Sequence, residues 1–590
     1  MKTGKRSKAL LAFLIALVLL FVGTLINVRS TTLGGTVKVT RVTYMDDTDK
    51  IVSGVLYVPS NATSETPAPG ALTNHGGGAS SEAQSSYNIE LARRGFVVLS
   101  WDASNSGSSE KSSDPTHGGE ASFKFLTSLD FVDDSNIITS GHSMGGVYSY
   151  MVAQNHPENV RLEIAVGMNP AMNDTSHFDT NYVCLMGIYD ESNLVRSDKN
   201  VLNLLQGDPF KQLFGMDSIE ANTLYGSYED RTARAFYTPK SSHAGAMINH
   251  DLLKRYLDTV QLAVKAPNPI DGDNQIWWHK DMGMIVQFVG LVTLMFSVAS
   301  LLLDSKAFSS LILPFRTPVG YPEKSKMWWV SLLFLLFVPS LFFVPFTTIA
   351  QKVDFSKVLP LDTTANGILI WSLLSSVLLI LWFFFYNANY GKKHGGNLMT
   401  YGIATEADEN KVTWKYLGKA LAFAAIVIGG TYLAYLFMYE ITAGDIHMWL
   451  ATLRPVTMIR LKYFPIYLLL QAPFYICGTI AGRSISINNG DRTGGGGMRN
   501  SLIISLLIGI LGLSIIFIMH EASFHINGTV LFPQNRGYIY TGAIFSMLPS
   551  FSVGNTINCY VTNRTNSIWA GLFAGIIWSA WVLVASNAIA

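Results

Sequence analysis

Ile137-Ile138-Thr139-Ser140 runs directly into Gly141-His142-Ser143-Met144-Gly145-Gly146 and then into the helix-like Val147 to Gln154. A buried-type strand, a G-x-S-x-G pentapeptide and a helix in that order describe a sharp turn. Small residues at Gly141 and Gly145 let the chain reverse so that the Ser143 hydroxyl stands clear of its own backbone. A hydroxyl presented in this way becomes a nucleophile once a nearby base takes its proton. The sequence has no HExxH, paired CxxC, Walker loop or dinucleotide fingerprint, so neither a metal nor a nucleotide cofactor is expected.

The turn needs a sheet to hold it. From Val37 onward, short β-rich runs alternate with turn residues: Val37 to Tyr44, Val52 to Val58, Gly70 to Asn74, Phe96 to Trp101, Asn136 to Thr139, Leu162 to Gly167, Tyr182 to Ile188 and Ala235 to Tyr237. Helical patterns fall between the later runs, at Gln84 to Arg94, Glu120 to Leu129, Gly145 to Gln154 and Asn249 to Val264. Strands alternating with helices imply an α/β domain with a mostly parallel, eight-stranded sheet covered on both faces.

With the elbow, its strand and its helix in place, the segment from about Val37 to Val264 resembles the α/β-hydrolase superfamily, nearest its dienelactone-hydrolase-like and esterase or lipase branches. The resemblance implies a nucleophile, an acid and a histidine in that chain order, so the last two are sought downstream of Ser143. Asp190 ends the strand-like run Tyr182 to Ile188 and is the expected acid, with Glu191 its adjacent rival and Glu229 or Asp230 further alternatives. His243, in the loop after Ala235 to Tyr237, is the expected base. His250, at the start of a helix, reads as a surface or capping residue, and His142 as packing near the elbow. The resemblance also places an oxyanion-holding loop at His75-Gly76-Gly77-Gly78, where the backbone N–H groups of Gly76 and Gly77 would join that of Met144, and His75 would orient the loop. Two features depart from the family pattern. The interval from Asp190 to His243 is long, so that Val201 to Phe214 reads as a helix able to cap the site, and the loop after the fourth strand survives only loosely as Asp102 to Ser109.

Composition assigns the rest of the chain to another environment. Of 590 residues, 49% are hydrophobic and 14% are charged, against about a quarter charged in ordinary soluble domains. Thr31 to Ile270 holds 17 Lys or Arg against 27 Asp or Glu, whereas the whole chain holds 42 against 41. An acidic segment is therefore joined to a basic remainder, and the near-zero total argues against a nucleic-acid partner. Cys184, Cys477 and Cys559 are the three cysteines, so the acidic segment cannot form an internal disulfide, and Cys184 reads as a core residue.

Nine apolar runs have spanning length: Ala9 to Ile26, Met282 to Leu303, Met327 to Ala350, Gly367 to Tyr386, Leu417 to Tyr439, Tyr463 to Ile480, Ser501 to Met519, Ile539 to Tyr560 and Ile568 to Val584. The run Ile539 to Tyr560 is broken by Pro549 and Gly554. Asp445 to Lys462 reads as an interfacial helix, and Gly494 to Gly497 as a flexible loop. With the N-terminus inside, 16 basic residues fall in cytoplasmic segments and six in the short outer loops. The expected organisation is a signal anchor over 1–30, an extracytoplasmic α/β-hydrolase domain over 31–270, and a membrane domain of about eight helices over 271–590.

The function expected from this pattern is a multi-pass, membrane-anchored serine hydrolase. It would act on an acyl ester borne by a lipid or the cell envelope, using Ser143, His243 and Asp190. Acyl transfer or peptide cleavage would use the same triad. A transporter with an outer ligand-binding domain is the rival from a different class, because nine spans exceed what an anchor needs.

Overall fold

A computed structural model describes residues 2–406, 409–448, 451–488 and 495–589. Its sheet contains β1 (Val37–Met45), β2 (Ile51–Pro59), β3 (Ala68–Asn74), β4 (Val97–Trp101), β5 (Val132–His142), β6 (Val160–Val166), β7 (Asn181–Leu185), β8 (Leu224–Tyr225) and β9 (Arg234–Tyr237). The spatial order is β1-β2-β4-β3-β5-β6-β7-β9-β8. The core from β4 through β9 is parallel, while β1, β2 and β8 join antiparallel at the two ends. The expected eight strands are therefore nine, because the two-residue β8 was too short to show a pattern.

Both faces of the central strands are covered, as their continuous apolar composition requires. Ile138, Leu162, Ile164 and Val183 pack with Leu252, Tyr256 and Leu257 of the helix His250–Ala263. Ile137 and Val160, on the opposite face, pack with Leu126 of Gly119–Thr127 and Tyr150 of Met144–Asn155. Val201 to Phe214 is not one helix. A 3₁₀ turn over Val201–Gln206 and a helix over Asp208–Phe214 meet at Gly207, with Pro209 in the first helical turn. Its apolar side chains lie against the sheet, with Phe210 edge-on to Phe236 of β9 at 5.2 Å, so the segment is a layer of the domain and not the expected cap.

Among the described residues, seven helices are long and apolar enough to cross a membrane, and a bent pair, Lys326–Leu341 with Phe343–Gln351, makes an eighth candidate. The 41° bend replaces the continuous run expected over Met327 to Ala350. Pro345 explains the break, because it has no N–H to donate to the carbonyl of Leu341 one turn earlier. The expected ninth span is a 29-residue helix, Gly537–Thr565, but it is less apolar than the others and contains Pro549.

The expected interfacial helix is corrected. Ile446–Met448 and Ala451–Leu453 pair as antiparallel strands, followed by a one-turn helix at Met458–Leu461. Pro455 disfavours helical conformation at Arg454 before it. Trp449, in that expected helix, and Arg492, one of the basic residues counted inside, lie outside the described residues. So does Gly494 of the expected loop, whereas Gly495 to Gly497 open the helix Gly495–Asn527.

The loops at the carboxyl ends of β3, β4 and β7 all meet the helical half. After β3, Ser80 donates to Asp445 at 3.2 Å and Glu82 pairs with Lys280 at 2.5 Å. After β4, the Gly107 carbonyl accepts from Arg460 at 2.6 Å and the Asn105 carbonyl from the Ile589 N–H at 3.3 Å. After β7, the Tyr189 ring meets His525 edge-on at 4.5 Å. In open α/β sheets this is the edge at which ligands bind.

Candidate active site

Ser143 stands between β5 and the helix Met144–Asn155 with φ +53° and ψ −121°, a conformation that non-glycine residues rarely adopt. Its neighbours must be small. A Cβ on Gly145 would come within 2.5 Å of the His75 carbonyl oxygen, and one on Gly141 within 2.1 Å of the Gly145 backbone. The elbow thus forces the serine out of the sheet, and the Ser143 N–H is held by the Val166 carbonyl at 2.8 Å.

The structure brings the three residues sought from sequence into one chain of hydrogen bonds. Ser143 Oγ lies 2.9 Å from His243 Nε2, and His243 Nδ1 lies 2.8 Å from Asp190 Oδ2. Because the carboxylate accepts from Nδ1–H, Nε2 is left with a lone pair directed at the serine proton. Asp190 is buried, and its other oxygen accepts from the Asn193 backbone N–H at 2.9 Å and side-chain amide at 3.1 Å. Burial works against a charged imidazole, but the charge and hydrogen bond of Asp190, joined by the charge of Glu191, outweigh it and raise His243 above the usual histidine range.

The rival carboxylates are placed differently. Glu191 accepts the backbone N–H of His243 at 2.8 Å, so it fixes the loop and leaves the ring to Asp190; burial pushes its carboxyl upward. Glu229 and Asp230 are exposed in the turn after β8. His250 is the first residue of its helix, capped by Asn249, and its Nε2 meets the Asp273 carbonyl. His142 does pack beside the site, donating from Nε2 to the His243 carbonyl at 3.0 Å; burial and the neighbouring His243 hold its pKa well below the ordinary value.

Gly76 adjoins the elbow so closely that a Cβ there would lie 2.8 Å from His142 Nδ1 and 3.3 Å from Ser143 Cβ, while the Gly77 Cα faces the Met144 side chain. Met144 opens its helix, so its N–H has no acceptor within that helix and remains free to serve an anion. His75 orients the glycine loop. Its Nδ1 donates to the Gly76 carbonyl at 2.7 Å and its Nε2 accepts the Ala103 N–H at 3.0 Å, which fixes one neutral tautomer, in keeping with the lowering by burial. Asp102, in the loosely matching fourth-strand loop, joins the two loops by accepting from Ser53 Oγ at 2.5 Å, the Ser81 N–H at 2.8 Å and the Ser108 N–H at 3.1 Å.

Asn193 went unread in the sequence. Besides holding Asp190, its amide donates to the Gly167 carbonyl at 3.1 Å. The available signal was the spacing of Asp190 and Asn193, since Asp190 is the N-cap of the short helix Glu191–Leu194 and its side chain accepts the Asn193 N–H. A potential metal-ligating group had also escaped notice. Among the described residues, only Glu82, Asp445 and His447 bring three ligand atoms within 4.8 Å of one another. Both carboxylates already have cationic partners, Lys280 at 2.5 Å and Arg454 at 2.9 Å, so their charge is compensated by side chains.

Solved structures similar to part of this chain are distant. A bacterial heroin esterase is 14% identical, with a TM-score of 0.29, over 41% of this chain and 87% of its own. A dienelactone hydrolase from Anabaena variabilis is 15% identical, with a TM-score of 0.28, over 38% of this chain and 97% of its own. A hypothetical protein from Pseudomonas aeruginosa is 21% identical, with a TM-score of 0.21, over 25% of this chain; the chain spans about half, 48%, of that protein's length. No curated protein matches the chain. Residues 72–245, which carry β4 to β9, the elbow and His243, match the family model described as alpha/beta hydrolase fold, and this part of the chain has that fold.

Proposed function

We propose that this protein is a membrane-anchored serine hydrolase that cleaves a carboxylic ester outside the cytoplasm through an acyl-enzyme. The observation that carries the reading is the unbroken chain Asp190–His243–Ser143, with links of 2.8 and 2.9 Å, ending on a serine at a strained strand-to-helix turn. His243 Nε2 takes the Ser143 proton as Oγ attacks the ester carbonyl carbon. The carbonyl oxygen becomes an oxyanion facing the N–H groups of Met144, Gly76 and Gly77. His243 then returns the proton to the departing alkoxide, leaving Ser143 acylated. Water, deprotonated by the same nitrogen, releases the acid and restores the serine. Asp190 keeps Nδ1 protonated and stabilises the transient imidazolium. The excess of basic residues in alternate loops supports placing this domain outside, with the apolar helices as its anchor.

The test is active-site labelling of the full chain with a fluorophosphonate probe, which acylation-competent serines capture. Wild-type protein should label at Ser143 and Ser143→Ala should not, while protease added to intact spheroplasts should cut within residues 31–270. Labelling that persists in Ser143→Ala would overturn the nucleophile, and protection from protease until permeabilisation would overturn the orientation.

A further inference from the structure

The helical half contains two adjoining chambers, and their linings differ from those of an inert anchor. The first is lined by apolar side chains interleaved with Ser372, Gln471, Ser546, Ser550 and Ser579. The second shares Phe474, Tyr475 and Phe551 with the first and continues past them to Ser501, Asn558 and Arg483. Arg483 is the only charged side chain among the residues lining either chamber. Two lining atoms, Gln471 Oε1 and Ser501 Oγ, are buried without a hydrogen-bond partner, on residues 6% and 1% exposed. An orphaned polar atom inside an apolar bundle is costly, and a ligand that hydrogen-bonds to it removes that cost.

Elements that line the first chamber are tied to the catalytic edge of the sheet. Asn587, in its lining, accepts at its carbonyl from Arg460, and the same guanidinium donates to Gly107 in the loop after β4. The helix Gly537–Thr565 also lines it, and its Thr541 bonds His520 of the helix Gly495–Asn527; five residues further along the latter, His525 meets Tyr189 beside Asp190, after β7. In the order β4-β3-β5-β6-β7, Ser143 at the end of β5 stands between these two points of attachment.

We infer that the chamber lined by Gln471 and Ser546 binds a neutral acyl-ester amphiphile bearing hydroxyl or amide donors, and presents its ester to Ser143. The inference rests on the hydrolase reading and names its substrate class. Apolar walls take the acyl chain, and the Gln471 carbonyl oxygen takes a hydroxyl or amide proton from the headgroup. With no charged side chain among the described residues of its lining, a charged amphiphile has no counter-charge there.

Two measurements test it on the full-length protein in lipid nanodiscs. In the first, Ser143→Ala protein is photolabelled with a monoacylglycerol carrying a diazirine in its acyl chain. Adducts should fall on chamber residues of the helices Phe464–Ala481 and Gly537–Thr565, and Ser546→Phe, which fills the space, should remove them. Adducts confined to outward-facing side chains would overturn the proposal. In the second, wild type, Gln471→Leu and Ser546→Phe are compared on p-nitrophenyl acetate and on monoacylglycerol in vesicles. The variants should lose about tenfold on the vesicle-borne ester, the scale of one lost specificity contact, and keep wild-type turnover of the soluble one. Equal effects on both substrates, or none on either, would overturn the proposal. If wild-type protein cleaves neither ester, the hydrolase reading fails, while photolabelling still decides whether the chamber holds the amphiphile.

Discussion

Asp190 and Glu82 are both buried carboxylates in loops at the same edge of the sheet, yet they hold opposite kinds of partner. Asp190 faces an imidazole of its own domain, 53 residues away, whose charge can come and go. Glu82 faces the ammonium of Lys280, 198 residues away on a helix of the other half. Under the proposed function the first arrangement moves a proton; the second joins two halves of a chain. On that reading a single edge of the sheet does chemistry at its centre and docking around it, and substitutions at the two carboxylates should separate these roles.

The largest effect belongs to the centre. Ser143→Ala or His243→Ala should lower kcat on a soluble aryl ester by about 10⁵- to 10⁶-fold, the scale on which single members of such triads fail, with the thermal midpoint little changed. Retained turnover in either variant would remove the comparison altogether. Asp190→Asn comes next. It cannot hold Nδ1–H in the same way, and a loss of about 10⁴-fold in kcat is expected. The pH profile gives the sign: the base must be neutral, so kcat/KM falls as pH drops through the pKa of His243, which Asp190 and Glu191 raise above the ordinary value near 6.5. In Asp190→Asn the raising charge is gone, so the residual activity should lose its acid limb at a lower pH than wild type. A limb that stays in place would assign the raised pKa to Glu191 instead.

Docking should show up in stability. Lys280→Met leaves Glu82 buried without its cation, in a pair whose side chains are only 1% and 3% exposed, and breaking one partner of such a pair costs about 3–5 kcal/mol. The thermal midpoint in detergent should drop accordingly, and Glu82→Gln combined with Lys280→Met should recover much of it, since the uncompensated charge is then gone. A double variant as unstable as Lys280→Met would mean that the lysine stem packs and the charge does not matter.

How much of this was legible follows from how far each signal reaches along the chain. The elbow is local: strand, glycines, serine and helix are contiguous, so Ser143 could be read directly. Asp190 and His243 could be sought because the resemblance gives the chain order and each follows a strand-like run, Asp190 with Glu191 still its rival. The seam was not. Arg460 on Gly107 joins positions 353 residues apart, and nothing near either residue announces the other. The strands Ile446–Met448 and Ala451–Leu453 read as part of a helix because three-residue strands inside a largely apolar stretch are too short to show their period. The chambers follow from how the helices pack, which hydropathy alone does not encode.

The smallest expected effect concerns Asn193, the residue behind Asp190. Its side-chain amide donates to Asp190 Oδ1 and to the Gly167 carbonyl, both at 3.1 Å, while its backbone N–H reaches the same Oδ1 at 2.9 Å. Asn193→Ala removes the first two bonds and keeps the third, so the carboxylate stays anchored on one side and gains freedom to rotate away from His243 Nδ1. One hydrogen bond to a charged group is worth about 1.5 kcal/mol at the low end, or about tenfold. The loss should appear in kcat with KM unchanged, because Asn193 is buried and its amide holds Asp190 and the Gly167 carbonyl. A merely structural cap would behave differently, lowering the thermal midpoint and leaving the rate per folded molecule as it was. Titrating active sites with the fluorophosphonate before measuring kcat separates these outcomes, and a full rate per titrated site in Asn193→Ala would confine the positioning of His243 to Asp190 alone.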